Sequence, residues 1–246
     1  HISGLFGGRA DLAAILMIGL VALYGGTLAL DLRGVSLGGL LSLLSPSNRA
    51  LYSFGMTGGE AFLLGHHWTV LSATLLHGSL LHLAFNVLWL RQLGALVAEE
   101  LGAARLAVVF VLTGAAGNAL SDAYGLLKDG TPWPSIGASG AIFGLMGVLM
   151  MFGRRRGGDW GRALASKMAS WALIAFGAGF ILPNVNNAAH FGGLVAGLVL
   201  GALMPRRDRA RQGAGLQVLA LLCLVASLLA VLASVAFMYP LQFNVG

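Results

Sequence analysis

The chain has 246 residues, of which 57% are hydrophobic and only 10% are charged, and its formal net charge is +6. Soluble domains carry about 25% charged residues, so this composition and a mean hydropathy of +0.83 exclude an ordinary soluble domain. They predict an all-α protein that crosses a membrane several times, and the single cysteine, Cys223, excludes an intramolecular disulfide.

Seven apolar stretches qualify as membrane-spanning helices, which need about 20 largely apolar residues. The first is followed by charged residues and not by a small-residue cleavage site, which indicates an anchor and not a signal peptide. The segment 31–71 contains Leu37, Pro46 and Trp68, so we predict a partly helical flap at the membrane surface. The fourth stretch is short and rich in glycine, which predicts a helix buried among its neighbours. The predicted spans are 12–30, 72–93, 104–124, 138–153, 165–182, 188–204 and 215–237.

The positive charges predict the orientation of these spans. With the N-terminus in the cytoplasm, 12 of the 15 Lys and Arg residues face inward, and Arg33, Arg49 and Lys128 face outward. Because cytoplasmic loops are enriched in Lys and Arg, this bias predicts seven spans with the N-terminus inside and the C-terminus outside. The basic residues are divided among short loops and leave no basic face for nucleic acid.

Three predicted spans carry polar side chains near their external ends. His77, His82 and Asn86 lie in the second span, Ser139 in the fourth and His190 in the sixth. These spans run in the same direction, so the five side chains are expected at a similar depth. His82 and Asn86 are four residues apart and share one helix face. Polar side chains inside a membrane are by default a functional-site hypothesis.

Glycines recur every four residues below two of these side chains. Small residues let helices approach closely in membranes, so the pattern predicts contact between the fourth and sixth spans. That contact would bring a hydroxyl and an imidazole within hydrogen-bond reach, as an activated serine nucleophile requires. The glycines are Gly140 and Gly144 below Ser139, and Gly193, Gly197 and Gly201 below His190.

The motifs H-G-S-L-L-H-L-A-F-N (77–86), G-A-S-G-A-I-F-G (137–144) and A-H-F-G-G-L-V-A-G (189–197) resemble the signatures of rhomboid intramembrane serine proteases. Their order and spacing also match, from about Trp68 to Gly201. The resemblance implies a six-helix core, here 1–204, followed in 205–246 by a basic loop and a seventh helix. It implies no cofactor or metal and substrates that are transmembrane proteins in the bilayer. The short loops favour a bacterial cytoplasmic membrane, with the active site facing outward, and an organelle membrane is the alternative.

The resemblance also implies the roles of individual residues. Ser139 and His190 would form a catalytic dyad without a carboxylate. All nine acidic residues lie at predicted span ends or in loops, so we expect packing, including the ring of Phe143, to position the imidazole. His82, Asn86 and the backbone N–H of Ser139 would hold the oxyanion, and Gly137 would leave room for substrate. His77 would be either structural or a direct contributor to catalysis.

Two positions depart from the family pattern, and one of them is Phe143, where rhomboid proteases often carry tyrosine. Rhomboid proteases commonly have Trp-Arg where this chain has Trp68-Thr69, which leaves open how the external loop is held.

Three other functions stay open. A catalytically inactive rhomboid-like protein would bind transmembrane clients without cutting them. A zinc protease would use His77, His82 and His190, although no H-E-x-x-H motif is present. An ion-coupled transporter would be expected to carry carboxylates at mid-membrane, whereas the acidic residues here lie at predicted span ends or in loops.

Overall fold

The structure is a computed structural model that describes residues 11–204 and 213–243. Arg9 and most of the predicted basic loop, with Arg206, Arg207, Arg209 and Arg211, lie outside the described residues. In the described part, seven helices have 17 or more residues, and we number them in chain order. They are α1 (Leu12–Leu30), α2 (Leu80–Glu100), α3 (Ala103–Asp129), α4 (Ser139–Arg156), α5 (Gly158–Ala178), α6 (Asn187–Leu203) and α7 (Ala214–Phe243).

Several of these helices are suited to a membrane. Helices α1, α2, α3 and α7 are long and apolar enough to cross one, and α6 is a shorter apolar helix. The all-helical architecture therefore fits the predicted polytopic membrane protein.

Short polar side chains fix where three of the helices begin. The carboxylate of Asp11 accepts a hydrogen bond from the backbone N–H of Ala14 at the start of α1. Ser79 accepts one from the N–H of His82, and Asn186 accepts one from the N–H of Ala189. Such caps satisfy N–H groups that the first turn of a helix leaves without partners. The caps on α2 and α6 thereby hold the helix ends that carry His82 and His190.

Several predicted span boundaries are wrong, and both α2 and α3 extend beyond their predicted ends at 93 and 124. The second span was expected to begin at residue 72, but a helical turn at Thr69–Ser72 and a 3₁₀ turn at Ala73–Leu75 precede α2. The loop expected at 154–164 is almost entirely helical, because α4 continues to Arg156 and α5 begins at Gly158. Only Gly157 separates them, with φ of 70°. A glycine adopts this left-handed conformation without the strain of a Cβ, so the turn needs no longer loop.

Helix α4 occupies the centre of the bundle. Every residue from Gly140 to Met150 is buried, and α4 packs on α2, α3, α5 and α6. The prediction that the fourth helix is buried among its neighbours is therefore confirmed. A helix with no open side holds its residues in fixed positions, which matters for Ser139 at its start.

The segment between α1 and α2 is folded against the bundle. Its short helices are Asn48–Ser53, Gly59–Leu63 and Thr69–Ser72. The Trp68 indole N–H donates to Ser234 Oγ of α7 at 3.1 Å, and Thr57 Oγ1 donates to Asp122 Oδ2 of α3 at 2.8 Å. In contrast, Leu37, Leu40 and Leu41 are exposed. The part after Pro46 is thus tied to α3 and α7, and contact of the leucines with the membrane surface stays a prediction.

Thr69, at the position where rhomboid proteases commonly have arginine, takes part in the contacts that hold this segment against the bundle. Its hydroxyl donates to the His66 carbonyl at 2.7 Å and lies 3.1 Å from Thr57 Oγ1. Thr57 in turn reaches Asp122, which is buried inside α3 and not at its end as expected. The loop is therefore held by two neutral hydroxyl groups, those of Thr57 and Thr69, and by one acidic acceptor, the carboxylate of Asp122.

Replacing Thr57 with valine is expected to lower the free energy of unfolding by about 1–3 kcal/mol. Valine keeps the shape of threonine but removes the donor to Asp122, whose other oxygen has no hydrogen-bond partner. The measurement is denaturant unfolding of the purified protein. In the Asp122→Asn background the same change should cost less, because no charge is then left unpaired. Equal losses in both backgrounds would contradict the role of the carboxylate.

Candidate active site

Ser139 and His190 face each other from the first turns of two helices. Ser139 begins α4, and His190 lies one turn into α6. His190 Nε2 is 2.9 Å from Ser139 Oγ, which is a hydrogen-bond distance. His190 is buried, with 7% of its surface exposed. The structure thus brings together a hydroxyl and an imidazole that are 51 residues apart in sequence.

Glycines allow this approach, because α4 and α6 form the most extensive helix contact in the described structure. A Cβ atom at Gly193 would overlap the carbonyl oxygen of Gly140, and one at Gly197 would overlap that of Gly144. At Gly201 a Cβ atom would lie 2.8 Å from the Cβ of Met151 on α4. The predicted packing of the two helices through their glycines is therefore present.

The His190 ring is held on two sides. Phe143 lies parallel to it, with ring centroids 4.4 Å apart and an interplanar angle of 13°. On the other edge, Asn187 Oδ1 is 3.2 Å from His190 Nδ1. The expected packing on Phe143 is therefore present, and the contact with Asn187 adds a polar partner. The sequence motifs do not predict this contact, because it depends on where α5 ends relative to Asn187.

His82 and Gly137 lie beside Ser139. The backbone N–H of Gly78 donates to His82 Nδ1 at 3.3 Å, so in the neutral ring Nε2 carries the proton and is a donor. Gly137 has φ of 119°, and a Cβ atom there would be 2.7 Å from His82 Nε2. Glycine is therefore required both by the backbone conformation and by the histidine ring. A bond from the Gly137 N–H to the Ala73 carbonyl, 2.9 Å long, fixes this approach.

Asn86 and His77 lie on the α2 side of the site. Asn86 is buried, and its side-chain NH₂ group donates to the His82 carbonyl at 2.8 Å. His77 is fully buried, and its ring meets that of His82 edge-on at 5.1 Å. His77 is therefore placed behind His82. Among the described residues, no group of three or more His, Cys, Asp or Glu side chains is arranged to hold a metal ion.

The part of the chain that contains these site residues is similar to known proteins. Residues 64–207 match the Rhomboid domain. The chain is 31% identical to Rhomboid protease GluP of Bacillus subtilis over 160 residues, which are 65% of this chain and 30% of that protein. It is 32% identical to RHOMBOID-like protein 5 of Arabidopsis thaliana over 68% of this chain and 53% of that protein.

A third relative shows the same partial coverage. Rhomboid protease GlpG of Photorhabdus laumondii is 32% identical over 54% of this chain and 46% of that protein. The chain thus spans about a third to a half of the length of these relatives. The matched domain nevertheless includes all three motifs and both members of the Ser139–His190 pair. The chain belongs to the rhomboid family.

Proposed function

We propose that this chain is an intramembrane serine endopeptidase that cleaves transmembrane proteins in or near their spans. The observation that carries the proposal is the 2.9 Å contact between Ser139 Oγ and His190 Nε2 at the partly buried start of α4. Family membership supports it, since two of the relatives are named as rhomboid proteases. Ser139 and His190 are the proposed catalytic residues.

The chemistry follows from this pair. His190 Nε2 accepts the Ser139 proton as the hydroxyl oxygen attacks the scissile carbonyl, and the protonated ring then gives that proton to the leaving amine. Water then hydrolyses the resulting ester with Ser139: His190 takes a proton from the attacking water and gives it to the Ser139 oxygen as the carboxyl product leaves. Phe143 and Asn187 keep the ring in place during both transfers.

The negative oxygen of the tetrahedral intermediate requires donors near Ser139. We assign this role to the Nε2–H of His82, the side chain of Asn86 and the backbone N–H of Ser139. His82 Nε2 is available because Gly78 occupies the other ring nitrogen. Ser139 is the first residue of α4, where N–H groups have no partner in the helix and where the helix dipole has its positive end. Gly137 leaves the substrate backbone space beside these donors.

The topology of the proposed enzyme follows the sequence. Residues 1–204 would form the six-span protease core, and the segment 205–246 would add the seventh span in a 6+1 arrangement. The charge bias supports an N-terminus in the cytoplasm and a site near the external face, and the short loops favour a bacterial cytoplasmic membrane. Substrates with small residues at the cut and a helix that unwinds easily are expected, because serine attacks an extended backbone. Efficient cleavage of a stable polyleucine span would contradict this preference.

The test is cleavage of a fluorescently tagged single-span protein by the purified full chain in liposomes. Cleavage that a fluorophosphonate blocks, with the label on Ser139, supports the proposal. Cleavage that survives in the Ser139→Ala variant and stops with a chelator would contradict it and favour a zinc protease. Binding of several single-span proteins without cleavage would instead favour the inactive client-binding protein.

Replacing Asn86 with alanine is expected to lower kcat about 10²- to 10³-fold with little change in KM, because one donor to the oxyanion is lost. Asn118 is the matched control. It is a buried asparagine of α3 that donates to the Val70 carbonyl and to Thr74 Oγ1. Its alanine variant should be less stable but should keep its kcat when folded. Equal loss of kcat in both variants would contradict the oxyanion role.

A further inference from the structure

The amide of Asn187 is hydrogen bonded at both ends and links two helices at the active site. Its Nδ2 donates to the Phe176 carbonyl in the last turn of α5 at 3.2 Å. Its Oδ1 is 3.2 Å from His190 Nδ1. Asn187 begins α6 and precedes His190 by three residues, so the two side chains share one helix face. The described structure has only slight contact between α5 and α6 otherwise, since α5 packs mainly on α4.

The polarity of these contacts determines which nitrogen of His190 carries the proton. A backbone carbonyl only accepts, so the NH₂ group of Asn187 must face Phe176 and its oxygen must face His190. That oxygen also only accepts, so His190 Nδ1 must be the donor. The neutral imidazole has one N–H, which leaves Nε2 as the acceptor for the Ser139 hydroxyl. This is the tautomer that a general base needs.

The end of α5 is shaped around the same amide. A Cβ atom at Gly179 would overlap Asn187 Oδ1, so the absence of a side chain there gives the amide its place. The Phe176 carbonyl also accepts the Gly179 N–H at 3.2 Å, which fixes the carbonyl at the helix end. In contrast, a Cβ atom at Gly177 would meet nothing within 4 Å. The close fit is therefore specific to the residue that faces Asn187.

We infer that Asn187 is a positioning residue that sets the tautomer of His190, and that the last turn of α5 takes part by orienting the Asn187 amide. A displacement of α5 would remove the Phe176 acceptor, and the amide would then be free to turn its NH₂ group toward Nδ1. In that orientation Nε2 would carry the proton and would no longer accept from Ser139. The effect of this role on catalysis rests on the proposed protease function.

Variants at position 187 separate tautomer control from packing. Asn187→Ala removes both hydrogen bonds and is expected to slow fluorophosphonate labelling of Ser139 and to lower kcat, each about 10- to 100-fold, at unchanged KM. Asn187→Asp retains an acceptor for Nδ1–H whichever way it turns, so labelling should stay near the original rate. Labelling of Asn187→Ala at the original rate, or of Asn187→Asp as slowly as Asn187→Ala, would overturn the inference.

Asn186 provides a matched control, since it is the same residue type one position earlier. Its side chain caps α6 and donates to Ser121 Oγ of α3 at 2.6 Å. Asn186→Ala should lower stability and leave the labelling rate of folded protein unchanged. A loss of labelling in folded Asn186→Ala equal to that in Asn187→Ala would mean that both variants only loosen α6, which would contradict a specific role for Asn187.

Two substitutions in and just after α5 test whether the end of this helix orients the Asn187 amide. Gly179→Ala should displace the Asn187 amide and slow labelling, whereas Gly177→Ala should not. In the Asn187→Ala background, Gly179→Ala should have no further effect. An undiminished effect in that background would contradict the coupling.

The ¹⁵N chemical shifts of the His190 ring report the tautomer whether or not the chain is a protease. We expect Nδ1–H in the original protein and in Gly177→Ala, and a mixture of tautomers in Asn187→Ala. An Nε2–H ring in the original protein would overturn the inference. If the chain neither cleaves nor labels while Asn187→Ala still alters the tautomer, the proposed function fails and the structural role of Asn187 stands.

Discussion

Replacing Ser139 or His190 with alanine is expected to reduce kcat on the order of 10⁶-fold, and replacing both should cost no more than replacing either alone. The two residues share one proton in every step of the proposed reaction, so removing one makes the other useless. The measurement is the rate of substrate cleavage in liposomes, made beside thermal unfolding of each variant. Unfolding should change little, because each replacement leaves the α4 and α6 backbones in place.

The chain contains suitable controls for both replacements. Ser227 is a buried serine of α7 whose hydroxyl donates to the Cys223 carbonyl one turn earlier. His67 is an exposed histidine of the segment between α1 and α2. Ser227→Ala and His67→Ala should cleave substrate at the original rate. If the double variant at Ser139 and His190 were much slower than both single variants, the two residues would contribute separately and the shared-proton mechanism would be wrong.

The sequence was sufficient to predict the core of this site because its parts are local. Each motif places a side chain at one end of one apolar helix, and glycine spacing predicts which helices touch. Ser139, His190, Phe143 and the glycines of α4 and α6 therefore lie together as expected. Family membership was predictable for the same reason, since three short motifs in the right order are specific.

Other features depend on contacts that no local pattern encodes. The acceptor for Asn187 is the backbone carbonyl of Phe176, and any residue has such a carbonyl. The partner of Thr57 is Asp122, 65 residues away, in a helix whose length was underestimated. The turn between α4 and α5 needs only Gly157, whereas the charged residues around it suggested a loop. In each case the decisive partner is set by tertiary structure.

Replacing Gly193 with alanine is expected to cost about 3 kcal/mol or more of unfolding free energy and to abolish cleavage. The added methyl would overlap the Gly140 carbonyl, and backbone inside a packed helix pair has no alternative rotamer to adopt. Relief therefore requires separation of α4 from α6, which lengthens the distance from Ser139 Oγ to His190 Nε2. Denaturant unfolding and fluorophosphonate labelling measure the two effects. Gly197→Ala should behave in the same way, because it meets the carbonyl of Gly144.

Two other glycines show how the expected loss of stability depends on the space available for an added methyl group. At Gly140 a Cβ atom would lie 3.3 Å from the Ala189 carbonyl oxygen, so Gly140→Ala requires a shift of only a few tenths of an ångström and should be far milder. At Gly19 of α1 nothing lies within 4 Å, so Gly19→Ala should be neutral or slightly stabilising through its better helix propensity. A loss of stability that is equal at Gly193 and Gly19 would mean that glycine is needed for helix flexibility. A loss graded as Gly193, Gly140 and Gly19 means that the approach of α4 to α6 determines the distance between hydroxyl and imidazole.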